Sequence, residues 1–166
     1  MAKAKQAVPE GYRSLTIVLT LDDCAAAMDW YKKGLGAEEV MRSKGPDGKI
    51  MHAEMQVGDS RLMMHDAMMG GKGPKEMGGS PSSLWIYTED CDALFNRAVS
   101  AGAEVRMPMA DQFWGDRCGT ITDPAGYSWS IATHIEDLTA EEMEQRAAEF
   151  FKQFAQQGQK TAGAGA

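Results

Sequence analysis

The chain has 166 residues, of which 43% are apolar and 25% charged, and its formal net charge is −7. These values predict a soluble folded chain with one domain or two small related halves, and no stretch approaches the roughly 20 apolar residues that cross a bilayer. We therefore expect no membrane as a partner. The negative net charge of the chain repels the phosphate backbone of nucleic acid, so nucleic acid is not expected as a partner either.

The cysteines and the N-terminus favour a cytoplasmic location. Residues 1–10 contain no apolar run and are therefore unlike a secretory signal. The three cysteines lie far apart and form no Cys-x-x-Cys motif, so we expect reduced thiols. They are Cys24, Cys91 and Cys118.

A strand followed by a capped helix is predicted near the N-terminus. Residues 1–12 are polar and small, and we expect a mobile lead-in. Residues 13–21 are rich in β-branched and apolar side chains, which indicates a buried strand. Asp22 or Asp23 then accepts a backbone N–H to cap a helix over residues 24–35, which ends at a glycine.

Three further strands complete a first module over residues 13–66. The turn Gly45-Pro46-Asp47-Gly48 separates two alternating stretches, residues 39–43 and 49–57, and predicts a hairpin. After another turn, residues 61–66 form the last strand. The first half is therefore predicted to be β-α-β-β-β.

A glycine-rich segment, residues 67–81, joins this module to a second one. Its composition predicts a mobile loop without regular structure. The first unit then recurs over residues 82–134, with a strand over residues 82–88, a cap near Asp90 and a helix over residues 92–100. The predicted second module thus begins as the first does.

Short repeated strings support an internal duplication. Asp90-Cys91 repeats Asp23-Cys24, and Gly102-Ala103-Glu104 repeats Gly36-Ala37-Glu38 in the same order. Similar strings in the same order within the same local pattern indicate two copies of one β-α-β-β-β module.

Residues 107–134 contain the most informative stretch of the second module. The Trp-bearing segment 111–117 leads into a strand, and the turn Asp123-Pro124-Ala125-Gly126 leads into another over residues 127–134. One face of the last strand is large and apolar, which suits packing on helices. The other is small and polar, which suits the lining of a ligand cavity. The polar set is Ser128, Ser130, Ala132 and His134.

A C-terminal helix is predicted over residues 135–157. Thr139 and Glu142 form a capping box, and an apolar stripe follows. The stripe is expected to pack on the domain or on a second subunit. Residues 158–166 are predicted to be disordered.

The paired modules resemble the vicinal oxygen chelate superfamily, also called the glyoxalase/bleomycin-resistance/dioxygenase fold. The resemblance covers roughly residues 15–134, and the segments 111–117 and 123–126 are similar to its PhnB-like branch. It implies an α+β fold in which two β-α-β-β-β modules form curved sheets around a cavity, followed by the C-terminal helix. Half-open sheets need their edges covered, so a homodimer is expected.

The resemblance also implies four strand positions for a divalent metal, two in each module. Counting from the shared motifs places them at Thr16, Ser83, Ser130 and a position within residues 63–65. Three of the four carry hydroxyls, which are poor ligands for zinc, nickel or iron beside imidazole and carboxylate. We therefore predict no metal site of the family type and no cofactor, with a divalent metal left as the alternative.

Two groups of side chains are predicted to bind a ligand. His52 and Glu54 share a strand face and, with His65, form either part of a cavity or a rebuilt metal site. The competing interpretation is an ordinary solvent-facing strand.

Trp114 and Arg117 form the second group, since an aromatic ring and a guanidinium can hold a planar or anionic ligand. The competing interpretation is a packed tryptophan and a surface ion pair of Arg117 with Asp111 or Asp116. Trp85 and Tyr87 alternate with Leu84 and Ile86 along their strand, so one pair is expected to face the helices and the other the cavity, and Trp85 is predicted to bind the ligand if its pair faces the cavity.

Two functions follow from these predictions. The first is binding of a small molecule without metal, as the resemblance to bleomycin-resistance proteins implies, with a cationic ligand suited to the acidic chain. The second is a glyoxalase-like lyase or isomerase, or a resistance enzyme, that uses a metal held by His52, Glu54 and His65.

Overall fold

The computed structural model describes residues 4–163, and side chains are described for residues 4–156. The first module contains strands β1 to β4 and one helix. Its elements are β1 (Ile17–Leu21), α1 (Cys24–Trp30), β2 (Glu38–Lys44), β3 (Ile50–Val57) and β4 (Ser60–Asp66).

A linker with one helical turn leads to the second module and the C-terminal helix. The elements in order are α2 (Pro74–Met77), β5 (Ser83–Tyr87), α3 (Cys91–Ser100), β6 (Glu104–Asp111), β7 (Asp116–Thr122), β8 (Ser128–His134) and α4 (Ala140–Gly163). The predicted α+β fold, two β-α-β-β-β modules and a C-terminal helix, is confirmed.

Each module folds into a four-stranded sheet of the same topology. The strand orders are β1-β4-β3-β2 and β5-β8-β7-β6, with the first pair parallel and the others antiparallel. The edge strand β6 contains Pro108, and an edge strand is where a residue without an N–H is tolerated. The strands β1 and β5 lie at the opposite edges of their sheets.

Both module helices begin in the same way. Asp23 and Asp90 accept the N–H of the residue three positions on, each at 2.9 Å. The N–H of Cys24 donates to Asp66 of β4 at 2.7 Å, whereas the N–H of Cys91 donates to the hydroxyl of Thr133 in β8 at 3.1 Å. The duplication therefore extends to the contacts that place each helix on its sheet.

A π-helical turn, Tyr31–Leu35, ends the first helix. Gly36 follows with φ of 71°, the left-handed conformation that glycine adopts without steric cost. The Tyr31 ring is fully buried and packs edge-on against Trp129 of β8 at 5.6 Å between centroids. The predicted helix over residues 24–35 is therefore α-helical from Cys24 to Trp30 and π-helical from Tyr31 to Leu35.

The buried carboxylate of Asp123 fixes the two modules to one another. It accepts hydrogen bonds from the Tyr31 hydroxyl at 3.0 Å and from Trp129 Nε1 at 2.7 Å. Beside it, the Tyr127 hydroxyl donates to the carbonyl of Thr20 at 2.9 Å. Burial raises the pKa of Asp123, and the hydrogen bonds from Trp129 and Tyr31 oppose that rise.

Three predicted boundaries differ from the structure. β1 begins at Ile17 rather than at residue 13, because the chain bends at Ser14 and Leu15. The linker contains the helical turn Pro74–Met77, which begins at a proline and ends at Gly78 with positive φ. α4 begins at Ala140 and continues to Gly163, past the predicted end at residue 157. Residues 164–166 of the predicted disordered tail lie outside the described residues.

Candidate functional site

Each sheet has one face covered by its helix and one face without a helix. In the first module Ala53, Met55, Leu62 and Met64 are buried beneath α1. Side chains alternate along a strand, so their neighbours in β1, β3 and β4 lie on the other face, here called the helix-free face. These neighbours are Val18, Thr20, His52, Glu54, Gln56, Arg61, Met63 and His65.

A charged cluster lies on the helix-free face of the first module. His52 Nε2 lies 3.0 Å from Glu54 Oε1, and Arg61 donates to Glu54 Oε2 at 3.3 Å. The Glu54 side chain is 12% exposed and that of His52 is 40% exposed. Burial alone would raise the pKa of Glu54, but the neighbouring Tyr12, His52 and Arg61 together lower it. Glu54 is therefore an anion that two partners already hold.

His65 lies on the same face but has separate partners. The register that pairs Ala53 with Met64 sets His52 opposite His65 one position further along. His65 Nε2 lies 3.4 Å from the hydroxyl of Thr20, and its Nδ1 lies 2.9 Å from the carbonyl of Asp66. His52, Glu54 and His65 therefore lie on the same helix-free face. His52 and Glu54 contact each other, whereas His65 contacts Thr20 and the carbonyl of Asp66.

Aromatic side chains dominate the helix-free face of the second module. Trp85 and Tyr87 of β5 are 45% and 62% exposed, with ring centroids 6.0 Å apart. Ser130 lies opposite Trp85, and its hydroxyl lies 3.2 Å from that of Thr120. This face combines an exposed aromatic surface with small hydroxyl groups.

The buried carboxylate of Asp116 connects the aromatic side chains. It accepts hydrogen bonds from the Tyr87 hydroxyl at 2.9 Å and from Trp114 Nε1 at 3.0 Å. His134 Nδ1 lies 2.8 Å from its other oxygen. Burial opposes ionisation of Asp116, but the hydrogen bonds from His134, Tyr87 and Trp114 outweigh burial and lower its pKa. Trp114 therefore lies at the edge of the aromatic surface.

Arg117 does not join this group. Its Nε and Nη2 atoms donate to Asp92 of α3 at 2.6 and 2.8 Å, and Nη1 donates to Asp111 at 2.8 Å. Its position in β7 places it on the same face as the buried Ile121, towards the helix. The guanidinium holds α3 and β6 together rather than facing the aromatic surface.

A groove of about 450 Å³ separates the edge strands β1 and β5. Ile17–Thr20 line one side, Ser83 and Leu84 the other, and the linker covers it with Met77 and neighbouring residues. Tyr127 also lines the groove. Val18, Thr20 and Ser83 connect the groove to the helix-free faces.

A smaller cavity of about 150 Å³ lies on the helix side, between α1 and the turn that follows β7. Its most buried carboxylate, Asp123, is engaged by Tyr31 and Trp129, as described above. This cavity therefore belongs to the junction of the modules.

The sequence model of the Glyoxalase/Bleomycin resistance protein/Dioxygenase superfamily matches residues 13–131. The chain belongs to this superfamily.

The chain is also similar to curated proteins and to solved structures. The uncharacterised protein Mb0911c of Mycobacterium bovis is 39% identical over 131 residues, which are 76% of this chain and 86% of that protein. The solved At5g48480 gene product of Arabidopsis thaliana is 25% identical, with a TM-score of 0.60 over 73% of this chain and 98% of that one. TioX from Micromonospora sp. ML1 is 24% identical, with a TM-score of 0.59 over 76% of this chain and 100% of that one. This similarity shows only that the two chains share a fold.

The metal positions that the superfamily resemblance implies do not fit a metal here. Thr16 and Ser83 lie at or before the start of the first strand in each module, and residues 63–65 and Ser130 lie within the last strands, where His65 is the one of these residues with a good ligand for such a metal. Within residues 4–163, no group of three or more His, Cys, Asp or Glu is placed to hold a metal ion. Glu54 is engaged by His52 and Arg61, so it is not a free third ligand beside the histidines.

Several members of the site were not predicted from the sequence. Arg61 and Tyr12 lie in no motif. Asp116 lies in the segment 111–117 but was considered only as an ion-pair partner of Arg117, and His134 and Tyr87 were not among the predicted ligand-binding residues. Strand alternation from Glu54 and the predicted pairing of β3 with β4 would have placed Arg61 on the same face. The sequence offers no comparable signal for Tyr12, which precedes the first strand.

No helix in the described part of the chain is long and apolar enough to cross a membrane.

Proposed function

We propose that this superfamily member binds a small planar molecule on its helix-free faces without the metal of the family enzymes. The observation that carries the proposal is the exposed pair Trp85 and Tyr87, next to Ser130 at a position where the resemblance implies a metal ligand. A site lined by aromatic rings and hydroxyls binds by stacking and hydrogen bonding, and it needs no Lewis acid.

Exposure of the two rings supports a binding role. Burial of an aromatic side chain is favourable by about 2 kcal/mol or more, so a folded chain gains by covering such rings. Trp85 and Tyr87 are adjacent and exposed, and the Tyr87 hydroxyl is already held by Asp116. The Tyr87 ring is thus held in place beside Trp85, at 6.0 Å between centroids, which lowers the entropic cost of binding a planar ligand there.

The charge of the chain favours a neutral or cationic ligand. The net charge of −7 disfavours approach of an anion. Asp116 is fully occupied by its three donors, so it orients the rings rather than pairing with a ligand.

A ligand screen in excess chelator tests the proposal. Planar compounds are screened by thermal shift against the wild-type protein and against Trp85→Ala. Phe154→Ala is the matched control, because Phe154 is an exposed aromatic residue on α4. We expect at least one compound to raise the wild-type and Phe154→Ala melting temperatures but not that of Trp85→Ala. Hits that appear only when the screen is repeated with divalent metal in place of the chelator, or hits that are indifferent to Trp85→Ala, would contradict the proposal.

The alternative is a metal-dependent lyase or isomerase. Its support is the shared face of His52, Glu54 and His65, with His52 set opposite His65 by the strand register. It requires Glu54 to leave Arg61, because the present contacts occupy both carboxylate oxygens. For that reason we favour binding without metal.

Two narrower assignments belong to the same proposal. Membership of the PhnB-like branch is supported by the segments 111–117 and 123–126. A cytoplasmic location is supported by three buried free cysteines.

A further inference from the structure

The N-terminal residues 9–13, here called the strap, lie against the charged cluster of the first module. The guanidinium carbon of Arg61 lies 5.0 Å from the centroid of the Tyr12 ring. Gly11 has φ of +82°, and a Cβ at that position would collide with the same guanidinium. An aromatic ring and a glycine thus bring this segment directly onto Arg61.

The contact leaves polar atoms without partners. Among the side chains that the structure describes, two buried nitrogen or oxygen atoms have no partner at hydrogen-bond geometry. They are Arg61 Nε and the Tyr12 hydroxyl, which lies near enough to the Glu54 carboxylate to lower its pKa but does not reach that geometry. A buried donor without a partner opposes folding. Both atoms lie where the strap contacts the sheet. The Tyr12 ring packs on the face of the Arg61 guanidinium, but the Tyr12 hydroxyl and Arg61 Nε remain without full hydrogen bonding.

Little else holds the strap in place. Tyr12 N–H donates to the carbonyl of Pro9 at 3.1 Å, a contact within the strap itself. Arg13 lies 3.8 Å from Asp59, but both side chains are exposed and such a pair contributes little. The strap can therefore be displaced at low cost.

The chemistry next to Tyr12 suits a phenol. Burial, together with the nearby Glu54 carboxylate, raises the pKa of Tyr12, so its hydroxyl stays protonated and remains a donor. Glu54 is an acceptor at the same place, and Arg61 Nε is a donor. A phenol that is not tethered to the chain can place one oxygen to donate to Glu54 and accept from Arg61.

We propose that Tyr12 is an internal substitute for the ligand, and that the ligand is a planar phenol whose ring replaces Tyr12 on Arg61. The strap then occupies the charged part of the site until a phenol displaces it. This inference rests on the proposed function, since it names a ligand class for the first module's helix-free face, one of the two faces to which that function assigns ligand binding.

Binding of p-cresol, the side chain of tyrosine, tests the inference. It is titrated by calorimetry into the wild-type protein, Tyr12→Ala and Tyr12→Phe. We expect Tyr12→Ala to bind p-cresol at least about tenfold more tightly than the wild type, because the site is no longer occupied. Tyr12→Phe keeps the ring on Arg61 and should remain like the wild type. Toluene, which lacks the hydroxyl, should bind Tyr12→Ala at least about tenfold more weakly than p-cresol.

Release of the strap provides a second readout that does not depend on a variant. Saturating p-cresol should speed tryptic cleavage after Arg13 in the wild-type protein, because the exposed Arg13 leaves the surface together with Tyr12.

Arg61→Met in the Tyr12→Ala background should abolish p-cresol binding while the protein stays folded.

Three results would overturn the inference. These are equal p-cresol affinity for the wild type and Tyr12→Ala, toluene binding as tight as that of p-cresol, and unchanged cleavage after Arg13. Its failure is distinct from failure of the proposed function. A ligand that depends on Trp85 and binds in chelator keeps the proposed function even when p-cresol does not bind, whereas ligands that all require metal remove the proposed function itself.

Discussion

At the residue scale, two buried carboxylates organise the second module. Asp123 accepts from Tyr31 and Trp129 at the junction of the modules, and Asp116 accepts from Tyr87 and Trp114 at the helix-free face. Buried charge is costly unless it is hydrogen-bonded, and each of these carboxylates has three donors. One of them joins the modules, and the other orients the aromatic surface.

His134 gives the molecule a pH dependence. Its ring lies between Asp116 and Asp137, at 2.8 and 3.1 Å. The hydrogen bonds to Asp116 and then to Asp137 raise its pKa above the ordinary value. The stabilisation is therefore fully present below the unfolded pKa of about 6.5 and is lost as the pH rises through the raised folded pKa.

His134→Gln tests this dependence by urea unfolding at about pH 6 and about pH 8.5. We expect the wild-type free energy of unfolding to fall over this interval by more than that of the variant. Every other titratable group is common to the two proteins, so the difference isolates His134. Parallel curves for the two proteins would show that the contact with Asp116 contributes nothing through protonation.

Individual contacts were predicted less well than strand faces. Strand alternation correctly placed His52 and Glu54 together. The pairing of Arg117 with Asp111 was among the interpretations considered, but its pairing with Asp92 depends on how α3 crosses the sheet. The three donors to Asp116 come from separate strands and a loop, so no local pattern links them.

At the element scale, the sequence was most informative where a local signal begins or ends an element. The caps Asp23 and Asp90 and the capping box of Thr139 with Glu142 are all present. These signals operate within one helical turn, and so they can be read from a single sequence.

Elements that depend on distant contacts were predicted less accurately. The π-helical turn at Tyr31–Leu35 accompanies the packing of Tyr31 against Trp129 and Asp123 in the other module. The turn α2 lies in a glycine-rich segment, and Gly73 N–H donates to Asp22 at 3.2 Å. The π-helical turn and α2 are therefore accompanied by tertiary contacts that the local composition does not indicate.

At the scale of the whole molecule, the two modules share a scaffold but carry different side chains on their helix-free faces. The first carries the charged cluster of His52, Glu54 and Arg61, and the second carries the aromatic pair Trp85 and Tyr87. The two modules therefore share their strand topology and their helix caps. They differ in the side chains at the strand positions of the helix-free faces, and so in the chemistry that each face offers.

A homodimer is the expected assembly. Large apolar side chains remain exposed on β1, at Ile17 and Val18, and on α4, where Phe151 is an example. A second copy is the simplest cover for edge strands and an apolar helix stripe. Light scattering on a size-exclusion column should give twice the 18.0 kDa chain mass at micromolar protein. A mass of one chain at that concentration would contradict the dimer.

The central claim is that the helix-free faces function without a metal, and metal titration tests it most directly. Zn2+, Ni2+, Mn2+ and Fe2+ are titrated by calorimetry into chelator-treated, dialysed protein and into His52→Ala. We predict no stoichiometric binding at micromolar metal in either protein. Binding of one ion per chain that His52→Ala abolishes would contradict the claim and establish the metal-dependent alternative.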